Sequence, residues 1–423
     1  MKPSLPLVKG MREFYPAEMA LRTYLYDQAR KASSAFGYQE WDAPFIETID
    51  LYAAKSGEEL VEKQSFVFAD RGGDKVTLRP EATPSLARMV AKKQGELTFP
   101  VRWWQWGPMW RYEQPQRGRT REFFQWNVDM LGVNSPEADA ELLAVAATFL
   151  RSVGLGPGQA KIFVNNRRLM DLKFDSLGLS DAVRPLVPGF VDRRPKMAAD
   201  AWDTWVLEQG LTENQLTGLK AILGNPELWK ESDELVRLMK AVAALGIGDY
   251  VEFDPNIMRG LLYYTGTVFE AFDVSGSVRR AILGGGRYDN LLADVGGEPL
   301  SGVGFAMGDV VIGILLGEKG LLPAQLGEAA PVLVTLFDEA GWADSLRIAT
   351  LLRVAGIPVL TWPEPAKLAK QFKFADKKGV KIVVVCGPDE AAQGKATVKN
   401  LADGTQETVD QGELVQRIRG LVG

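Results

Sequence analysis

The sequence predicts an α+β fold built on an antiparallel sheet flanked by helices, interrupted by a helical insertion and followed by a separate α/β domain. Three observations carry this. Residues 101–106 and 123–131 are strand-like runs joined by a polar, Arg-rich loop at 114–121, which is the signal of a long hairpin. Residues 166–245 hold several helical patterns and no strand pattern. Beyond residue 317, apolar runs at 332–337, 357–362 and 382–386 alternate with helical segments at 342–354 and 366–378, the βαβαβ order of a parallel sheet. At roughly 150 residues per domain, a chain of 423 residues allows two to three domains.

Each element has its own signal. Leu21, Tyr24, Leu25 and Ala29 recur at helical spacing within 17–36, and Gly37 stops that helix. Residues 38–47 follow as an extended strand that Pro44 confines to an edge or interface. Phe66-Val67-Phe68 and Val76-Thr77-Leu78 flank the turn residues 70–74 as a hairpin. Helices are expected at 83–93 and 135–153 and strands at 161–165 and 251–254, followed by a Gly-rich region at 263–308. The segment 317–329 has linker composition.

Composition removes whole classes of chemistry. The chain has no histidine and one cysteine, Cys386, so it can build no Ser-His or Cys-His pair, no HExxH metal site and no multi-Cys metal centre. Its chemistry must run on arginines, carboxylates, tyrosines and backbone dipoles, with a metal held by oxygen ligands left open. A formal net charge of −5 argues against indiscriminate polyanion binding while allowing a local basic face. No apolar stretch approaches the roughly 20 residues of a membrane helix, and the N-terminus lacks the apolar core of a signal peptide, so a cytoplasmic location is expected.

Three segments hold candidate site residues. Arg117, Arg119 and Arg121 crowd one loop, where an anionic ligand or solvent must offset their repulsion. Arg111 and Glu113 read as sharing one strand face, and Gln125, Asn127 and Asp129 as sharing another, because strand side chains repeat every two residues. A solvated sheet face is the alternative. Met258 to Gly266 and Gly284-Gly285-Gly286-Arg287-Tyr288-Asp289 form a second cluster, readable as a hairpin turn or as a close backbone approach to a ligand. Residues 302–308 place small residues at alternate positions, as in a strand packed tightly under another element.

Taken together, these segments resemble the class II histidyl-tRNA synthetases along nearly the whole chain. Lys9-Gly10-Met11-Arg12 with Pro16 is similar to the opening of that family, and 37–47 to its motif 1. Thr77-Leu78-Arg79-Pro80-Glu81-Ala82-Thr83 is similar to its LRPE-x-T segment, and 111–132 to motif 2. Arg259-Gly260-Leu261, Tyr263-Tyr264-Thr265-Gly266 and Gly285-Gly286-Arg287-Tyr288-Asp289 resemble its histidine signature. The resemblance implies a catalytic domain in two parts, 1–165 and 246–322, around a helical insertion at 166–245, with an anticodon-binding domain at 330–423. The implied activity is histidine–tRNA ligation: histidine and ATP form an adenylate, whose aminoacyl group passes to the 3′ end of tRNA(His).

The resemblance also implies roles. Arg111 and Arg259 would hold the α-phosphate and carboxylate from opposite sides. Glu81 and Thr83, with Gln125 nearby, would receive the α-ammonium, and Asp129, Tyr263, Tyr264 and Tyr288 would surround the imidazole. Glu113, Arg119 and Arg121 would face ATP, with Mg²⁺ bridging phosphate oxygens and no metal held by the protein alone. Arg117 and the stripe Lys370, Lys373 and Lys377 would meet tRNA, and motif 1 would form a homodimer with no membrane contact. Two positions depart from the family pattern. Gly308 is followed by Asp309-Val310-Val311 where an arginine usually stacks on adenine, and Leu262 stands where an Asp is usual. The other reading is a non-charging paralogue, such as the regulatory subunit of ATP phosphoribosyltransferase; retention of Arg111, Arg259 and the C-terminal domain speaks for the enzyme. Cys386 closes an apolar strand and reads as an inert core residue.

Overall fold

A proline in the first turn and a glycine past the last delimit the opening helix, α1 (Pro16–Ala35). Pro16 lacks the N–H that a first turn leaves unpaired, and Gly37 takes φ +77°, open to a residue without Cβ. In the computed structural model, which describes residues 5–53, 64–258, 264–290, 292–324, 326–327 and 330–422, the stretch after α1 is not one strand. It divides around Pro44 into β1 (Gln39–Glu40) and β2 (Ile46–Thr48). The latter pairs with the expected hairpin, β3 (Phe66–Ala69) and β4 (Lys75–Leu78), as a three-stranded sheet ordered β2-β4-β3. A short helix, α2 (Asp50–Ala53), follows β2, and α3 (Thr83–Lys93) follows β4.

The main sheet begins with the long hairpin, β5 (Val101–Trp110) and β6 (Glu122–Leu131), longer than the strand-like runs suggest. Helix α4 (Pro136–Ser152) is capped by the Ser135 hydroxyl, which accepts from the Ala138 amide. Strand β7 (Ala160–Asn166) leads into five helices: α5 (Arg167–Asp175), α6 (Val187–Arg193), α7 (Ala199–Glu208), α8 (Glu213–Leu223) and α9 (Asp233–Ala244). The chain returns as β8 (Val251–Phe253), β9 (Thr267–Asp273), β10 (Leu283–Tyr288) and β11 (Gly302–Gly308), then α10 (Asp309–Glu318). Among the described residues the sheet has eight strands in the order β1-β5-β6-β11-β10-β9-β7-β8. Its interior pairs are antiparallel, and only the outer pairs β1/β5 and β7/β8 are parallel.

Alternation along β6 separates the two faces of this sheet. Trp126, Val128 and Met130 join a core with α1 and α4, where the Trp126 ring meets Phe149 and Phe305 at centroid distances of 5.1 and 5.0 Å. The buried side chains of the five inserted helices, Trp202 and Leu219 among them, belong to this same core. The opposite face of β6 carries Gln125, Asn127 and Asp129.

The chain divides into two compact units, Met1–Pro323 and Ala324–Gly423. The second contains β12 (Val332–Val334), α11 (Trp342–Val354), β13 (Val359–Thr361), α12 (Leu368–Lys377), β14 (Ile382–Val385), α13 (Pro388–Ala392), β15 (Lys395–Asn400), β16 (Gln406–Asp410) and α14 (Leu414–Val422). Strands β13, β12 and β14 are parallel, as the alternation implies. The sheet then continues with an antiparallel pair that the apolar-run reading omits. β15 buries Ala396, Thr397 and Val398 in succession, so a polar residue interrupts its apolar ones and no continuous apolar run marks it in the sequence.

Candidate active site

The polar face of β6 lines a cavity of about 160 Å³. Gln125, Asn127 and Asp129 enter it side by side, as their period of two requires. The neighbouring strand makes room for them. Gly304, Ala306 and Gly308 of β11 pair with Asp129, Asn127 and Gln125 in register, which explains the small residues at alternate positions. A Cβ on Gly304 would lie 2.1 Å from Asp129 Oδ1, so only glycine leaves that carboxyl its place. The third strand repeats the device, because a Cβ on Gly286 of β10 would lie 2.8 Å from the Tyr264 ring.

Asp129 is 3% exposed and accepts a hydrogen bond from the Tyr288 hydroxyl at 2.7 Å. Burial pushes its carboxyl up to about 7, while the Tyr288 bond pulls the other way. Asn127 donates to Gln105 Oε1 at 3.0 Å, so part of the polar row finds partners inside the sheet. Glu81, just before α3, and Thr83, at its start, line the cavity with Tyr264 and Tyr288. Arg111 lines it too; its Nε donates to the Pro80 carbonyl at 2.9 Å, tying motif 2 to the Arg79-Pro80-Glu81 segment.

Arg111 also lines a second cavity, of about 150 Å³, with Glu113, Gly118, Arg119, Thr120, Phe123, Gly308, Val310 and Val311. The two cavities thus share one guanidinium. Glu113 and Arg119 form an ion pair at 2.6 Å. The shared strand face expected for Arg111 and Glu113 is not what forms: β5 ends at Trp110, and both residues lie beyond it, where the backbone turns toward the loop. The loop arginines are offset by the protein itself. Arg117 pairs with Glu318, and Arg121 donates to the carbonyls of Glu113 (3.0 Å) and Lys9 (3.4 Å) while covering the Tyr112 ring at 4.0 Å. Arg121 and Arg117 do not line either cavity described above. Arg259 and Tyr263 lie outside the described residues.

Within the signature Gly285-Gly286-Arg287-Tyr288-Asp289, Arg287 serves the frame. It is 3% exposed, pairs with buried Asp139, and donates to the Val133 and Ser135 carbonyls and to Ser301. In the C-terminal unit, Lys370, Lys373 and Lys377 are exposed on α12, and Lys370 sits 5.5 Å from the Trp362 ring. Cys386 is buried, which raises its thiol above the ordinary range.

A family model described as histidyl-tRNA synthetase matches residues 10–309, a stretch that holds the lining of the first cavity and all of the second but Val310 and Val311. The chain belongs to the histidyl-tRNA synthetase family. A second model, an anticodon binding domain, matches residues 332–421. The histidine–tRNA ligase of Leptospira biflexa serovar Patoc is 36% identical, with 97% of this chain and 96% of the relative covered. That of Thermoplasma volcanium is 37% identical, over 96% and 97%. The crystal structure of a histidyl-tRNA synthetase from Nostoc sp. PCC 7120 superposes with a TM-score of 0.86 at 26% identity, covering 99% of this chain and 100% of that one. An ATP phosphoribosyltransferase regulatory subunit/histidyl-tRNA synthetase from Bacillus halodurans shares the fold, with a TM-score of 0.76 at 21% identity over 91% of this chain and 99% of that one. Membership of the histidyl-tRNA synthetase family makes ATP a substrate, alongside histidine and tRNA. Among the described residues no helix is long and apolar enough to cross a membrane.

Sequence reasoning gave Phe123 and Gly304 no place in the site, and it set Asn127 on the polar strand face without a role. Asn127 had a signal in its place between Gln125 and Asp129 on one strand face. Gly304 had one in the alternation of small residues, once the partner strand is known.

Proposed function

We propose that this histidyl-tRNA synthetase reads its amino acid with Asp129 and Tyr288 and joins it to ATP across Arg111. The observation that carries this reading is the sharing of Arg111 between a cavity that holds a buried carboxyl and a cavity lined by Glu113, Arg119 and Phe123. Histidine fits the first: an ionised Asp129 accepts an imidazole N–H, and Glu81 and Thr83 are placed for the α-ammonium. The substrate carboxylate then falls toward Arg111. There its oxygen attacks the α-phosphorus, the bond to the bridging oxygen of the β-phosphate breaks, and pyrophosphate leaves. The Arg111 Nε is engaged by the Pro80 carbonyl, which orients the guanidinium so that its terminal nitrogens can hold charge developing at phosphorus. By the motif it belongs to, Arg259, which lies outside the described residues, would also hold the α-phosphate and carboxylate. In the second step the terminal tRNA hydroxyl attacks the aminoacyl carbon and AMP leaves. Neither step demands a protein nucleophile, which suits a chain without histidine.

Among the described residues no group of three or more carboxylate or cysteine side chains could cage a metal. Glu113 is already paired with Arg119. The cavity therefore suits Mg²⁺ carried in by the nucleotide through its own phosphate oxygens, where the ion would neutralise charge. We further infer a homodimer. Its support is the three-stranded sheet, where register puts Ile46 (51% exposed) and Phe68 (43% exposed) on one apolar face with Phe66, Val76 and Leu78. Because charged tRNA is consumed in translation, the cytoplasm is the inferred location.

ATP–pyrophosphate exchange, run with each of the twenty amino acids, tests the reading. Exchange should depend on histidine alone and fall by at least about 100-fold in Arg111→Ala, the scale of losing one oxyanion-type donor. Histidine binding without exchange would place the chain with the non-charging paralogues.

A further inference from the structure

Arg280 belongs to none of the motifs above, yet folding brings it beside Gly118, a residue of the second cavity's wall. It lies between β9 and β10, far in sequence from the loop that joins β5 to β6. A Cβ built on Gly118 of that loop would stand 3.0 Å from Arg280 Cδ and 3.6 Å from Val311 Cγ2. Three segments of the chain therefore meet at one point. Gly118 and Val311 line both the 150 Å³ cavity that starts at Arg111 and a cavity of about 300 Å³ that Arg280 lines from the other side. The wall between the two is thin, being one residue without a side chain and one with a short side chain.

The chemistry of the smaller cavity suits a flat heterocycle better than a polyphosphate. Phe123, Val310 and Val311 give it aromatic and apolar surface, and Glu113 gives it an acceptor for an exocyclic amine. Arg280 is half-buried and makes no hydrogen bond or ion pair among the described residues. Burial and then the neighbouring charge of Arg119 hold its guanidinium below the ordinary range, with Glu113 opposing. A planar cation in such surroundings pairs well with a π face, which partners it without a full counter-charge.

We propose that Arg280 is a nucleotide-binding residue whose guanidinium closes the cavity at Gly118 and Val311 and packs on the adenine of ATP. The proposal rests on the aminoacylation reading given above. It also accounts for the valine at 311, since a longer side chain there would compete for the space that Arg280 uses.

Histidine-dependent exchange by the full chain tests the proposal. Arg280→Ala should raise KM for ATP about 5- to 30-fold, the range of one cation–π contact, and leave KM for histidine and kcat within about twofold. Arg280→Lys, which keeps the charge and loses the flat face, should fall between. Arg280→Ala combined with Val311→Arg should recover most of the loss, because both side chains reach the same point. Inhibition of the exchange separates base from phosphate: adenosine should weaken in Arg280→Ala and inorganic tripolyphosphate should not. An unchanged KM for ATP, or a loss confined to tripolyphosphate, overturns the proposal. If Arg280→Ala does not fold, Arg280→Lys and Arg280→Gln carry the same comparison. Failure of the aminoacylation reading would look different, because the unsubstituted protein would then show no histidine-dependent exchange.

Discussion

In the proposed reading, Asp129 carries the recognition chemistry. Its carboxyl holds a proton up to about pH 7, against an ordinary value of 3.8, because burial disfavours the charge. Between these values the folded state binds more protons than the unfolded one, so the ligand-free protein should lose stability as pH rises through this window and lose no more above it. Thermal melting compared with Asp129→Asn from about pH 5 to pH 8 measures that difference, which should widen toward neutral pH. Binding has the opposite dependence: the ionised carboxylate accepts the imidazole N–H, so KM for histidine should rise as pH falls through about 7. Asp129→Asn should flatten that profile at a KM roughly 10- to 100-fold higher, the worth of a hydrogen bond to a charged group. The profile of the variant also removes the titration of histidine itself from the comparison. Strand alternation placed Asp129 beside Gln125, so the residue was legible in the sequence. Its raised proton affinity was not, because that comes from burial by segments far apart in the chain, with the hydrogen bond from Tyr288 of β10 opposing it. Arg287 illustrates the converse. It lies inside a signature motif, yet its partners Asp139, Val133 and Ser135 fix the frame, and only the fold reveals them.

The register of β6, β11 and β10 makes the cavity. Gly304 faces Asp129, and Gly286 gives space to Tyr264. Gly304→Ala should therefore abolish histidine-dependent exchange while leaving the helix-side core of Trp126, Phe149 and Phe305 folded, as circular dichroism and melting would show. Elements with strong local signals were legible: α1 through its helical spacing and the stop at Gly37, and the β3–β4 hairpin around its turn. The pair β15 and β16 was missed because its few apolar residues, Ala396, Val398 and Val409, are separated by polar ones and never form an apolar run. The end of β5 at Trp110 was also not visible, since the contacts beyond it are made with distant segments: the Arg111 side chain donates to the Pro80 carbonyl and the Tyr112 amide to the Gln64 carbonyl.

At the scale of the molecule, separate cores hold separate tasks. The first unit contains both cavities described above, and the second is the anticodon-binding module with its exposed lysines on α12. The two-part layout was readable because apolar alternation changes style after residue 317. The continuity of the inserted helices with the sheet core was not readable, since it comes from packing between distant segments. If the apolar face of the three-stranded sheet is the dimer contact, Ile46→Lys with Phe68→Glu should convert a dimer to a monomer by sedimentation, with the melting of each folded chain retained. The central claim is that the buried carboxyl of β6 reads the imidazole while Arg111 joins the amino acid to ATP. A crystal structure with histidine bound tests it most directly. The account predicts a ring nitrogen within hydrogen-bond distance of Asp129 and the substrate carboxylate turned toward Arg111; a ring lodged elsewhere, with Asp129 facing the α-ammonium, would contradict it.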